Sequence, residues 1–193
     1  RTFDDYTTIY HHFLEASKFA FASRSVLGDP KFIKDSMKIA KNITSKKWGE
    51  WVRSMIKDES QSAEYYGGSF EGTQVDHGTT HISVIDKWGN AVSVTSTINL
   101  YLGAVRMSDS TGILWNDEMD DFSLPGHPNF FGFPPSPSNF IKPGKRPQSS
   151  MSPLIIVDSD KKNETDPSQR QLLAVGGAGG STIISGVAGV ALR

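Results

Sequence analysis

The chain contains no cysteine among its 193 residues. That excludes disulfides, thiolate nucleophiles and cysteine metal sites, and says little about compartment. No uninterrupted apolar run approaches the roughly 20 residues needed to span a bilayer. Charge of one sign is also lacking: 20 basic against 21 acidic side chains leave −1 overall. Nothing electrostatic therefore points to nucleic acid or an anionic membrane as a partner. The familiar hydrolase signatures G-x-S-x-G and H-E-x-x-H are missing too. The opening residues, Arg1 to Tyr6, show neither a start methionine nor the apolar core of a signal peptide. Val190 to Arg193 stop inside an apolar pattern, so both ends are expected to continue in something longer. What is present, 37% hydrophobic and 21% charged residues, suits a globular chain with one good core or two small ones.

The first third reads as helical. Ile9, Phe13, Ala16, Ala20 and Leu27 fall near helical spacing over residues 6–27, and Gly28-Asp29-Pro30 stops the run. A second helix is expected over 46–57, with Trp48, Val52, Met55 and Ile56 on one face behind Thr44 or Ser45 as N-cap. Burial habits place Trp48 in a core. His11 and His12 are adjacent and share no helix face, so they read as surface residues. Asp58 to Gly78, with Gly67, Gly68 and Gly72, reads as an exposed polar linker.

Beyond the linker the pattern changes to period two. Thr79 to Ile85 and Ala91 to Thr97 flank Asp86-Lys87-Trp88-Gly89-Asn90, which predicts a β-hairpin. Centring the turn on Trp88 pairs Val84 with Val92, Ile82 with Val94 and Thr80 with Ser96. That face is mostly apolar and suits a core. The other face pairs Ser83 with Ser93, His81 with Thr95 and Thr79 with Thr97, because opposed residues project to one side of a sheet. A slip of one residue would exchange the faces.

Downstream, Gly112-Ile113-Leu114-Trp115 resembles a short buried strand, and Asn116 to Asp121 is an acidic run that reads by itself as a solvated loop. The calcium-loop spacing and its central glycine are missing there. Residues 125–147 hold seven of the ten prolines and predict a stiff surface loop. Strands follow at Leu154–Val157 and Gln171–Val175. The second enters Gly176-Gly177-Ala178-Gly179-Gly180 and a helix over 181–192. Such a turn exposes amides that suit an anion or oxyanion, and equally suits a tight structural connection.

The chemistry on offer is a threonine heading a strand, a partner hydroxyl, acids, a serine pair and glycine amides. His77 and His81 are four apart across a linker–strand boundary and have no third ligand, so no metal is expected. A threonine hydroxyl needs a nearby base. Cutting the preceding peptide bond would supply one, an α-amine with a pKa of about 7.7–8. Gly78 tolerates the backbone geometry such a cut requires; it equally serves to turn the linker into the strand.

The ordered set Thr79-Thr80-His81-Ile82-Ser83-Val84, Gly89-Asn90-Ala91-Val92-Ser93, Thr95-Ser96-Thr97-Ile98-Asn99-Leu100-Tyr101, Gly112-Ile113-Leu114, Asn116 and Glu118-Met119-Asp120-Asp121-Phe122-Ser123 continues through Pro134-Pro135-Ser136-Pro137, Pro143-Gly144-Lys145 and Ser149-Ser150-Met151. It closely resembles the γ-glutamyltransferase family, and the likeness extends upstream through Glu15-Ala16 and Leu27-Gly28-Asp29-Pro30. The resemblance implies an α+β fold, the αββα sandwich of N-terminal-nucleophile hydrolases, present here in part. It implies a precursor cut at Gly78–Thr79. Residues 1–78 would end the large subunit, helical and then linker, and 79–193 would begin the β-rich small subunit.

By the same resemblance, Thr79 would attack the γ-glutamyl amide of glutathione or a related donor. The acyl group would then pass to water, an amino acid or a dipeptide. Thr97 would assist Thr79 and its amine. Asn99, Glu118 and Asp121 would hold the donor's α-amino-acid end, Ser149 and Ser150 its carboxylate, and the Gly179 and Gly180 amides would form the oxyanion hole. The arginine that normally pairs with that carboxylate would lie in the large-subunit remainder, the expected heterodimer partner. No cofactor and no metal is implied. Asn42-Ile43-Thr44 and Asn163-Glu164-Thr165 are glycosylation sequons, which fit an extracellular protein, secreted or anchored by a segment outside this chain. The competing reading is a secreted, non-catalytic homologue or fragment that only binds a partner.

Overall fold

A computed structural model describes residues 2–67, 79–127, 134–158 and 171–193. They fall into two compact units that interleave along the chain: Arg1–Gln74 with Met119–Gln148, and Val75–Glu118 with Ser149–Arg193. The division expected at 78/79 concerns chain cleavage, and the compact units follow another boundary. The Gly78–Thr79 bond lies outside the described residues.

The first unit begins with α1 (Phe3–Arg24), whose start is closed by a capping box in which Asp5 N–H donates to Thr2 Oγ1 and Thr2 N–H to Asp5. Two shorter helices follow, α2 (Ser36–Ile43) and α3 (Lys46–Met55). Of the two cap candidates for α3, Ser45 does the capping: its hydroxyl accepts from Trp48 N–H at 3.1 Å. The sequence pattern carried no expectation for α2.

The face that α1 buries differs from the one its apolar spacing predicted. Glu15, Phe19 and Ala22 are buried, while Ala20 is exposed. Glu15 is the reason. Its carboxylate accepts from Tyr66 hydroxyl at 2.6 Å, Lys18 at 2.8 Å and Ser60 at 2.9 Å. Burial alone would raise its pKa; these donors outweigh that and hold the group ionised. The core beside it joins Phe19, Ala22, Val52 and Tyr66, with Trp48 and Met55 packed against it. Phe19 meets Tyr66 edge-on at 5.0 Å between centroids. Tyr66 belongs to the stretch predicted to be an exposed linker. A short 3₁₀ turn, Ala63–Tyr66, instead folds part of that stretch into the core.

The second unit holds the hairpin, β1 (Thr79–Ile85) and β2 (Ala91–Thr97), and a second antiparallel pair, β3 (Leu154–Val157) and β4 (Leu172–Val175). The hairpin register is the predicted one, from Thr79 opposite Thr97 to Val84 opposite Val92. Its turn is tied internally. Asp86 Oδ1 accepts from the Trp88 and Asn90 amides, both at 2.9 Å, and Gly89 takes the left-handed conformation, φ 79°. Helix α4 (Thr182–Ala191) follows β4 and buries Ile183 and Val187.

The burial of the hairpin is the reverse of expectation. The apolar side is open, with Ile82 61% and Val92 52% exposed. The polar side is the covered one, because Ser93 Oγ donates to Val175 O at 3.0 Å and the His81 ring lies against Gly176. The strand predicted at 112–115 is reduced to an isolated bridge between Met107 and Leu114, and Ile113 and Trp115 are more than half exposed. The proline-rich segment is likewise more than a surface loop. Its described part buries Asn139 and Lys145.

Candidate active site

Alternation along β1 and β2 puts Thr79 and Thr97 side by side at the open end of the hairpin. Thr79 Oγ1 donates to Thr97 Oγ1 across 3.2 Å. Thr97 Oγ1 also accepts from the Asn99 amide at 2.8 Å, the side-chain-to-backbone turn that threonine commonly makes two residues ahead. Its hydroxyl oxygen is thereby held in place as the acceptor of the Thr79 proton. That hydrogen bond increases electron density on Thr79 Oγ1, the atom from which a nucleophile would react.

Asn99 turns the chain out of β2 with φ 71°, a left-handed conformation that asparagine tolerates better than most residues. It is 4% exposed, and its Nδ2 donates to Asp117 O at 3.3 Å. Asp117 replies twice: its carboxylate accepts from Leu100 N–H at 3.0 Å, and its own amide donates to Ile98 O. The two strands of this staple are thus locked beside Glu118, whose amide donates to Asn116 Oδ1 at 3.0 Å. Gly103 makes the approach feasible. It sits at φ 52°, and a Cβ there would collide with Trp115 O and stand 3.2 Å from Asn116 Cα. Asp117, Gly103 and Asn116 are contributors that sequence reasoning passed over as site residues.

Ser149 and Ser150 belong to the same unit. Ser149 is exposed and its hydroxyl accepts from Met151 N–H at 3.1 Å; Ser150 is half-buried. Gly179 and Gly180 close the turn before α4 with φ 127° and 55°. Their carbonyls are taken by the first turn of the helix, Thr182 on Gly179 O and Ile183 on Gly180 O. Among the described residues neither glycine amide has an acceptor, which leaves two donors at a helix start for an incoming anion.

Asp121 belongs to the other unit and ends the 3₁₀ turn Glu118–Asp121. Its backbone carbonyl accepts from Asn139 Nδ2 at 2.7 Å. Asn139 Oδ1 in turn accepts from Gln148 N–H at 2.9 Å, so one buried amide ties the acidic turn to the residue just before Ser149. Arg24 is electrostatically coupled to Asp121; burial lowers the guanidinium pKa and the carboxylate works against that. Asn42 is exposed at the end of α2, whereas Asn163 lies outside the described residues.

A family model described as γ-glutamyltranspeptidase matches residues 2–193. The chain is 46% identical to glutathione hydrolase 2 of Arabidopsis thaliana over 188 residues, covering 95% of this chain and 30% of that protein. It is 40% identical to glutathione hydrolase proenzyme 2 of Schizosaccharomyces pombe, covering 92% of this chain and 28% of that one. It thus spans under a third of these relatives' length. A solved structure, a Thr-to-Ala mutant of Helicobacter pylori γ-glutamyltranspeptidase, superposes with a TM-score of 0.50 at 46% identity, covering 58% of this chain and 56% of that one. The helices and strand pairs described above are accordingly part of an N-terminal-nucleophile hydrolase fold. The chain belongs to the γ-glutamyltranspeptidase family.

Proposed function

We propose that the whole protein of which this chain is part cuts itself at Gly78–Thr79 and then transfers γ-glutamyl groups from glutathione or related donors to water, amino acids or dipeptides. The observation that carries the reading is the Thr79–Thr97 hydroxyl pair, 3.2 Å apart at the head of β1. After the cut, the new α-amine of Thr79 serves as general base. Thr79 Oγ1 attacks the γ-carbonyl carbon, its proton passes to the amine, and the amine returns it to the departing nitrogen. The Gly179 and Gly180 amides receive the oxyanion. Asn99, Glu118 and Asp121 hold the donor's amino-acid end, the acids facing its ammonium, and the Ser149 and Ser150 hydroxyls take its carboxylate. Water or an acceptor amine then releases the acyl group.

The heterodimer partner is the remainder of the large subunit. The sequons at Asn42, which is exposed, and at Asn163 accept glycans in a protein outside the cell, secreted or held at its surface. The test is turnover of a γ-glutamyl anilide by the full-length protein, with the mass of each chain recorded. Thr79→Ala is expected to abolish both turnover and cleavage, and the parent to yield a chain beginning at Thr79. Cleavage that persists in Thr79→Ala, or an intact Thr79 protein with no turnover, sinks the reading and favours a binding protein.

A further inference from the structure

We infer that His81 is a positioning residue: its imidazole is the spacer that sets the Gly176–Gly180 turn against the strand carrying Thr79. The inference rests on the reading of Thr79 as nucleophile and of that turn as its oxyanion site.

The polar side of the hairpin runs Thr79/Thr97, His81/Thr95, Ser83/Ser93. His81 occupies the pair next to the proposed nucleophile. Its Nδ1 is 2.8 Å from Thr95 Oγ1 and its Nε2 is 2.9 Å from Ser83 Oγ. Both nitrogens are therefore engaged by hydroxyls of its own hairpin, which fixes the ring plane and leaves proton transfer with Thr79 outside its task. Against that ring lies Gly176. A Cβ at this position would overlap Nδ1 and Cε1 and stand 2.7 Å from Nε2. The backbone of Gly176 is not left-handed, unlike that of Gly179 and Gly180. Contact with the ring, rather than conformation, is thus what requires a glycine here. Beside it, Ser93 Oγ holds Val175 O at 3.0 Å, so the last residue of β4 and the first of the turn both rest on the hairpin's polar side. Three and four residues after Gly176 the same turn presents the Gly179 and Gly180 amides. Amide donors act on an oxyanion only from the right position, and a misplacement of about 1 Å costs on the order of a hundredfold in rate.

The experiment is a double-mutant cycle in the full-length protein, His81→Ala, Gly176→Ala and the pair, assayed with a γ-glutamyl anilide. Each single change is expected to lower kcat by roughly ten- to a hundredfold with KM altered less than about twofold, the pattern of lost transition-state stabilisation. In the pair the added methyl enters the space vacated by the ring, so Gly176→Ala should cost about tenfold less than it does beside His81. His81→Phe, which keeps a flat ring, should retain more kcat than His81→Ala. Additive losses, a KM rise at unchanged kcat, or a phenylalanine no better than alanine overturns the inference. A variant that stays uncut has no turnover, so the cycle is also read by amide hydrogen exchange in the Thr79→Ala precursor. His81→Ala should speed exchange over residues 177–181 and spare Leu154–Val157; unchanged exchange over 177–181 overturns the inference. Failure of the underlying reading appears separately, as turnover that survives Thr79→Ala.

Discussion

Thr97 joins two hydrogen bonds on one oxygen, accepting from the Thr79 hydroxyl and from the Asn99 amide. Removing that oxygen leaves the nucleophile without its acceptor and the post-strand turn without its tie. Thr97→Ala in the full-length protein should therefore lower kcat on the order of a hundredfold, the usual scale for one positioned proton-handling group, while Thr97→Ser should keep most of it. Equal losses for serine and alanine would show that the hydroxyl is not the operative group. This pair is legible in the sequence, because alternation and one short turn fix which side chains share a face. The contact between Asn99 and the Asp117 carbonyl is not. It closes across 18 residues of irregular chain, through a left-handed turn that leaves no periodic trace.

Elements were read well and their faces less well. Helix and strand positions follow from spacing, and β3 matches its predicted bounds. Which face becomes buried depends on partners, as α1 demonstrates: a glutamate heads its buried side because Tyr66 and Ser60, distant in the chain, join Lys18 of the same helix on its carboxylate. The hairpin shows the same limit, since hydroxyls and an imidazole are covered where valines are open. Asn139 is the clearest element that spacing could not reveal. It lies in a proline-rich segment read as surface, yet joins the Asp121 carbonyl to the Gln148 amide from a buried position. Asn139→Ala leaves both groups without their partner and should cost about 1–3 kcal/mol of stability. In the full-length protein it should also raise KM for the donor, because Asp121 loses its support. A lowered melting temperature with unchanged KM would confine Asn139 to a structural part.

At the scale of the molecule, the first unit is assembled from both sides of the Gly78–Thr79 junction. Ser136 and Ser138 hydroxyls donate to Ser25 and Leu27 carbonyls, Gln148 Nε2 donates to Arg24 O at 2.8 Å, and Arg146 grips Asp29 through its amide, Nε and Nη2. Cleavage at that junction would leave the two products joined by this seam. The Arg146 bonds come first among the causes that hold the Asp29 carboxyl well below its ordinary range. A depressed carboxylate pKa contributes stability that is complete above the unfolded value of about 4 and is lost as pH falls through the folded value. The two chains should accordingly stay together on gel filtration at neutral pH, and the stability gap between wild type and Asp29→Asn should narrow steadily below about pH 4. A gap that stays constant with acidification would remove Asp29 from the seam.

The tied turn at Asp86–Asn90 has a consequence at the opposite end of its strand. Thr79 lies six residues from Ile85, about 20 Å at strand rise, yet the turn decides whether Thr79 or Thr80 shares a side with Thr97. The hairpin is a gauge whose zero mark is set far from the point it measures. One residue inserted between Trp88 and Gly89 shifts the parity of the count, and N-terminal sequencing of the small chain should then find the single Thr79 start lost. Between two neighbouring threonines of identical chemistry, the choice of which one becomes an enzyme's first residue would be made by a turn at the far end of the hairpin.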